Sequence, residues 1–464
     1  MSDICKGGVN CLRSVTQMGI LMKIIRECIM HGISTRLAEF ASGEIAPSKR
    51  TCEIIRLSLA DWAACGLAGV NEPVAKITRD MILAERGAGA SVVFGGGVAP
   101  ARAAALVNGA TSHALDFDDT HFLHIGHPSV VIFPAVLAIA QERNLPGAQM
   151  MEAAALGFEA SARIGAWLGR GHYEAGFHQT ATAGSFGATL ACGRLIGLTA
   201  VQMQHALGIC ATRASGLKSQ FGTMGKPYNA GLAASNAIET VTLAALGFTS
   251  RLDGLECVQG FGDTHAGIAD MSAFDDLGEV WVTESVSHKF HACCHGTHAA
   301  LEALHLAEAG MRTDDVARVD IRTNPRWARV CNIAVATTGL EAKFSYRMTT
   351  AMALLGRVTG RADQFEDGFC VQADAMDMAA KVHVEFVGHI AETAAEVIVT
   401  DVHGRAHHAE FDLASPLPIA ALEQRLDVKL SNLVGAGTAA KLAEAAREMQ
   451  NAASVDELAA LLAG

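Results

Sequence analysis

Residues 112–134 read SHALDFDDTHFLHIGHPSVVIFP and crowd Asp116, Asp118 and Asp119 together with His113, His121, His124 and His127. Carboxylates and imidazoles at that density mark a candidate site, because the Lys and Arg of a solvated face are missing and apolar helical sequence flanks the stretch. Pro128 suits the first turn of a helix, where its missing N–H costs nothing. His127 would then stand at the mouth of that helix, beside unpaired backbone N–H groups. A carboxylate is welcome there, and the same field keeps an imidazole neutral and basic. The plainer alternative is an acidic loop that caps a helix and carries surface histidines.

Four more stretches set polar residues into apolar sequence. His178 lies in GFHQTATAG and Lys226 in GTMGKPYNAG; Lys289 opens KFHACCHGTH, and Arg326, Trp327 and Arg329 follow a strand-like segment. The Gly-rich, Pro-flanked, otherwise uncharged setting of Lys226 favours a functional role over a solvated loop lysine. His178, taken alone, is equally a structural histidine. In KFHACCHGTH, His291, His295 and His298 could share a helical face and suggest a metal. Adjacent Cys293 and Cys294 point apart on a helix, however, and zinc sites space their thiolates. An iron–sulfur cluster needs more placed thiolates than these. The run from Asp116 to Asp119 lacks the second acidic motif or basic diphosphate site of a magnesium enzyme. No metal is therefore expected.

The elements that must carry these groups are mostly helices. From Ser34 onward apolar residues recur at helical spacing, first in the segment opened by Pro47-Ser48 and stopped at Gly69. SVVFGGG, residues 91–97, reads as a short extended segment; no Lys-Ser/Thr follows to make it a phosphate cradle. Pro134 should kink or restart its helix. From His178 to Gly260 small residues dominate, as in the interior of an all-α domain. The texture changes near Val282: residues 316–322, 381–387 and 395–402 alternate like strands. The expected fold is mainly α, a large all-helical domain (34–284 plus 416–464) with a smaller α+β lid domain (285–415), after a weakly structured extension over 1–33.

Composition excludes several functions. A formal charge of −12 argues against a nucleic-acid partner, and no window is long and apolar enough for a membrane span. Half the residues are hydrophobic and only 18% are charged, which fits a surface partly buried in an oligomer. Twelve cysteines without Cys-x-x-Cys spacing, and no credible export signal, point to reduced thiols in a cytoplasmic protein.

HALDFDDTH…GHPS, FHQTATAG, GTMGKPYNAG and KFHACCHGTH, in this order from Thr35 onward, resemble the MmgE/PrpD family. Its members include 2-methylcitrate dehydratase, cis-aconitate decarboxylase and iminodisuccinate epimerase. The resemblance implies a helical domain built from both chain ends, a smaller α+β lid, usually a homodimer, and a site between the domains. In the decarboxylase branch the site residues fall here on Asp116, His127, His178, Lys226 and Lys289, with Trp327 nearest to a lid tyrosine of that branch. The bacterial dehydratases lack the FHxT and TxxKP motifs present here. The decarboxylase has His two residues after KP, where this chain has Asn229. The chain thus resembles the general part of the family, nearer the decarboxylase and epimerase.

The chemistry common to these reactions is proton transfer at a carbon next to a carboxylate, without cofactor. Lys226 and Lys289, with Trp327, would hold a small anionic di- or tricarboxylate. His127 or His178 would move the proton, and Asp116 would orient an imidazole. Opposed helix and carboxylate effects place the pKa of His127 at roughly 6–7. A metal-dependent lyase using Asp116–Asp119 or His291–His298 is one alternative; a non-enzymatic, metabolite-binding helical dimer is another.

Overall fold

Small residues let helix backbones come close, and in this protein they clamp together the helices that carry the polar stretches. The computed structural model describes residues 32–464 except Ala309. The extension expected over 1–33 therefore lies outside the described residues, save for its last two. Numbering helices of eight or more residues, the first body contains Ile33–Ser42 (α1), Lys49–Gly69 (α2), Pro73–Ala84 (α3), Ala101–Ser112 (α4), Ser129–Arg143 (α5), Gly147–Glu174 (α6), Gln179–Ile196 (α7), Ala200–Arg213 (α8) and Gly225–Ala245 (α9). Gly109 of α4 meets Gly231 of α9 so closely that a Cβ on Gly231 would fall 2.1 Å from the Leu106 carbonyl oxygen. Glycine is obligatory there, and the crossing fixes the C-terminal end of α4 against the N-terminal end of α9. Pro134 neither ends nor restarts its helix, for α5 runs through it. It has no N–H to offer the carbonyl of Val130, which lies instead against the α4 backbone at Gly109.

The second body holds a four-stranded sheet of Val316–Thr323 (β1), Val382–Phe386 (β2), Ala394–Asp401 (β3) and Ala406–Asp412 (β4), in the order β2-β1-β3-β4. β1 pairs parallel with β2 and antiparallel with β3, where Val319 faces Val399 and Ile321 faces Val397. A parallel neighbour requires a crossover; here it passes through Tyr346–Leu354 (α11) and Ala373–Ala380 (α12), after His298–Ala307 (α10) has entered the domain. The inward residues of β1 and β3 form one core with α10. The outer face is polar, with Arg322 paired to Glu385 and Glu396.

The chain then returns as Ile419–Val434 (α13), Ala436–Glu448 (α14) and Asp456–Ala463 (α15). Leu422, Leu426 and Leu430 repeat every four residues on α13 and join the core of the first body. Among them Lys429 reaches inward. Its Nζ lies 2.5 Å from Asp61 of α2 and donates to the carbonyl of Phe117 at 2.7 Å, with both charged side chains buried.

Breaking a buried pair leaves one charge uncompensated. Lys429→Met should therefore cost about 3–5 kcal/mol in denaturant unfolding, and the double variant Asp61→Leu/Lys429→Met should cost less than that single change.

Candidate active site

The loop after α4 is held at several points, and each fixes a different titratable group. Thr120–His121 pairs antiparallel with Val286–Ser287, which brings Lys289 to the loop. His121 and His124 spend their Nε2 atoms on the carbonyls of Val282 and Gln179. Burial lowers the pKa of both, that of His124 to about 3, so they act as neutral struts. Asp119 accepts bonds from the backbone N–H and the hydroxyl of Ser129 and caps α5, and burial pushes its carboxyl up to about 7. Between these anchors Asp116 takes a left-handed backbone, with φ 52°. This uncommon conformation for a side chain other than glycine reverses the chain and turns its carboxylate to Lys226 and Lys289.

Asp116 stands between two ammonium groups. Its Oδ2 lies 2.7 Å from Lys226 Nζ, and its Oδ1 lies 3.1 Å from Lys289 Nζ. Lys289 also donates to the Asp116 carbonyl at 2.6 Å. Burial works against the Asp116 charge, but Lys226 and Lys289 hold its pKa well below the usual carboxylate range. Asp116 is nonetheless 42% exposed, while Lys289 is buried. The lysines thus grip a carboxylate on the open side of the site, where an incoming carboxylate could share or take their contacts.

The imidazoles are oriented by Asp118, not by Asp116. Asp118 is fully buried and accepts from His113 Nδ1 with one oxygen and from His127 Nδ1 with the other, each at 2.8 Å. Asp116 is only 3.5 Å from the far nitrogen, His127 Nε2. The expected role of Asp116 as the orienting carboxylate is corrected accordingly: its left-handed backbone turns it to the lysines. With Nδ1–H donated to Asp118, Nε2 of a neutral His127 carries the lone pair and faces the open side. Burial, which outweighs the attraction of Asp118, lowers the His127 pKa to about 4, below the value expected from opposed helix and carboxylate effects.

His178 has the opposite tautomer. It caps the N-terminal end of α7, and its backbone N–H is held by the Gly216 carbonyl at 3.0 Å. The Asn229 amide nitrogen lies 3.4 Å from the Leu217 carbonyl, which orients the amide, and 3.3 Å from His178 Nδ1. Nδ1 is therefore an acceptor and Nε2 of His178 bears the proton. The rings of His113 and His178 lie nearly parallel, 6.1 Å apart, and those of His113 and His127 lie 4.6 Å apart. One imidazole of the cluster is built to accept a proton and another to donate a hydrogen bond.

Asp116, His127, His178, Lys226 and Lys289 are thus brought together. Trp327 is not. Its indole N–H is spent on the Glu392 carbonyl and its ring lies against Gly296 in the sheet-domain core, which leaves it no polar atom for a substrate. KFHACCHGTH does not form the helical face that would align its histidines, since α10 begins only at His298. His291 instead bonds Thr359 and Glu302, and His295 bonds Thr120. Among the described residues, His113, Asp116, Asp118 and His127 offer ligand atoms within 4.8 Å of one another. A cation there would have to displace both imidazole N–H bonds to Asp118 and sit beside two ammonium groups, so the set fits a metal poorly. The sequence reading missed Lys429, Asp61 and the orienting role of Asp118. The available signal for the first two was a lone charge inside the apolar stripe of a helix.

Comparison with known proteins follows the same outline. The MmgE/PrpD N-terminal domain matches residues 35–273, and the MmgE/PrpD C-terminal domain matches residues 291–451. The chain is similar to a cis-aconitate decarboxylase of Aspergillus terreus, with 30% identity over 59% of this chain and 59% of that protein. It is similar also to a cis-aconitate decarboxylase-like protein, oryM, of Aspergillus oryzae, with 29% identity over 56% of this chain and 58% of that one. With the cis-aconitate decarboxylase of Homo sapiens the identity is 26% over 62% of each chain. The chain thus spans about three fifths of the length of the curated relatives it matches. No helix among the described residues is long and apolar enough to cross a membrane.

If His127 is the base, kcat/KM should rise with pH through an ionisation near 4 and stay flat across the neutral range. His127→Gln should lower turnover by about a hundredfold or more and leave affinity within a few-fold. Asp118→Asn should be similarly damaging, because an amide N–H facing an imidazole Nδ1 forces the proton onto Nε2. Near-normal turnover of His127→Gln, with the same acid limb, would place the base elsewhere.

Proposed function

The chain belongs to the MmgE/PrpD family, and from that premise and the geometry of the site we propose that it is a lyase or isomerase moving a proton at the carbon next to a carboxylate of a small di- or tricarboxylic acid, with no cofactor. The observation that carries this reading is the clasp of one carboxylate by Lys226 and Lys289, beside Nε2 of His127. A substrate carboxylate that enters the clasp meets two positive charges, and these stabilise the enediolate-like charge formed when the adjacent carbon loses a proton or CO2. In proton abstraction the C–H electron pair passes into that carboxylate and His127 Nε2 takes the proton. In decarboxylation the C–C electron pair takes the same path as CO2 leaves; His178 Nε2–H can hydrogen-bond the resulting enediolate while the carbon takes its proton from solvent. The names of the relatives favour decarboxylation, while Asn229 leaves epimerisation as the second outcome.

The same proposal extends to the setting. A cytoplasmic location accords with the free thiols of the described cysteines. A homodimer accords with the exposure of Leu217, Phe221, Met224 and Tyr228 around Lys226.

Dialysed, EDTA-treated protein, offered a panel of di- and tricarboxylates in D2O, should exchange or release substrate protons with at least one of them. Lys226→Ala should weaken affinity as well as turnover, since a carboxylate loses its counter-charge. Absence of exchange and turnover with every acid would overturn the reading. Stoichiometric zinc, iron or manganese by elemental analysis, with activity lost on chelation, would replace it with a metal-dependent lyase.

A further inference from the structure

A third lysine stands near this cleft in the sheet domain with no ion-pair partner among the described residues. Lys343 ends the short helix Gly339–Ala342, and its carbonyl accepts from the Cys294 N–H at 2.9 Å. Its Nζ stands over the Phe365 ring, 5.5 Å from the centroid. Phe365 packs into an apolar cluster with Leu115, Phe117 and Ala292, and the first two of these flank Asp116 in sequence. Lys343 therefore lies on the sheet-domain side of the loop that carries Asp116. The charges of Asp116 and Lys289 both reach it.

Among the described residues no carboxylate lies within ion-pair distance of Lys343 Nζ, although the side chain is half-buried. The neighbouring Cys293 gives no anion, because burial pushes its thiol up to about 12. Burial, opposed in part by Asp116 and Glu72, lowers the Lys343 pKa from the ordinary lysine value. A half-buried ammonium against an aromatic face, with the Asp116 and Glu72 charges only at longer range, is costly in the empty protein. A ligand anion would offset that cost.

We propose that Lys343 binds a second carboxylate of the substrate, across the cleft from the Lys226–Lys289 clasp, and so selects polycarboxylates over monocarboxylates. This rests on the function proposed above and names its substrate class. The clasp alone serves any carboxylate. A monocarboxylate leaves Lys343 unpaired, whereas a second carboxylate a few bonds away pairs it and links the two domains through the ligand.

The test is calorimetric titration of the full chain with propane-1,2,3-tricarboxylate and with butanoate, for wild type, Lys343→Met, Lys343→Arg and Lys226→Met. Wild type should bind the tricarboxylate at least about tenfold more tightly than butanoate. Lys343→Met should lose that advantage with butanoate affinity unchanged, and Lys343→Arg should keep most of it. Lys226→Met should weaken both ligands. Wild-type affinity for the tricarboxylate in Lys343→Met would overturn the proposal while leaving the clasp intact. Failure of wild type to bind either acid would overturn the clasp as well. A second measurement needs no variant: acylation of Lys343, read by mass spectrometry, should be slowed by the tricarboxylate and not by butanoate. Equal protection by both, or by neither, would count against the proposal.

Discussion

Three helix N-termini end at one small volume, and the loop that joins α4 to α5 has to satisfy them. His127-Pro128 opens α5, His178 caps α7, and Lys226 lies in the first turn of α9. Aligned peptide dipoles and unpaired N–H groups make that volume electropositive before any side chain is counted. The three aspartates of the loop answer this field in three ways: Asp119 caps α5, Asp118 holds two imidazoles, and Asp116 sits between two lysines. The Gly109–Gly231 crossing fixes the helices, and the Lys429 bond to Phe117 fixes the loop between Asp116 and Asp118. If these supports shifted, the carboxylates would exchange partners, because they lie only one or two residues apart.

That closeness also explains how much was legible in the sequence. Polar islands in apolar helical sequence pointed to the loop, to His178 and to both lysines, since ionisable groups are seldom kept in such surroundings without a use. The alternating segments near 316–402 gave strands within a residue or so of those observed, because one buried face imposes the period of two. The division of labour among Asp116, Asp118 and Asp119 was not legible. An irregular loop has no period to set side-chain direction, and the φ of 52° at Asp116 reverses whatever direction an extended reading would give. Trp327 failed for a related reason. Its position after a strand was right for a cleft, but its indole N–H needed an acceptor and found one inside its own domain.

The two bodies are joined unevenly around the cleft. On one side stand the pairing of Thr120–His121 with Val286–Ser287 and the buried contact of Lys289 with Asp116. Elsewhere Glu302 of α10 pairs with Arg425 of α13, and Glu392 of the sheet domain is held by Arg170 of α6 at 2.7 Å. Arg170 and Glu392 are both partly solvated, and such pairs contribute about 0–1 kcal/mol and weaken with salt. That edge is therefore held more weakly than the buried contact of Lys289 with Asp116.

Charge arithmetic inside the cleft then limits what it can hold. With His127 and His178 neutral, the charges of Asp116 and Asp118 stand against those of Lys226 and Lys289 and balance them. The protein as a whole carries −12 and repels anions at long range, so any attraction has to be local. One substrate carboxylate makes the cluster negative by one charge. A second would be poorly tolerated beside Asp116, unless a cation stood on the other wall with no partner of its own. Protonating His127 could restore balance for a bound anion, but the base would then be lost as soon as it was needed. A fixed ammonium can supply the charge while leaving the imidazole free, and that is the condition a base with a pKa near 4 has to meet to work on a polyanion.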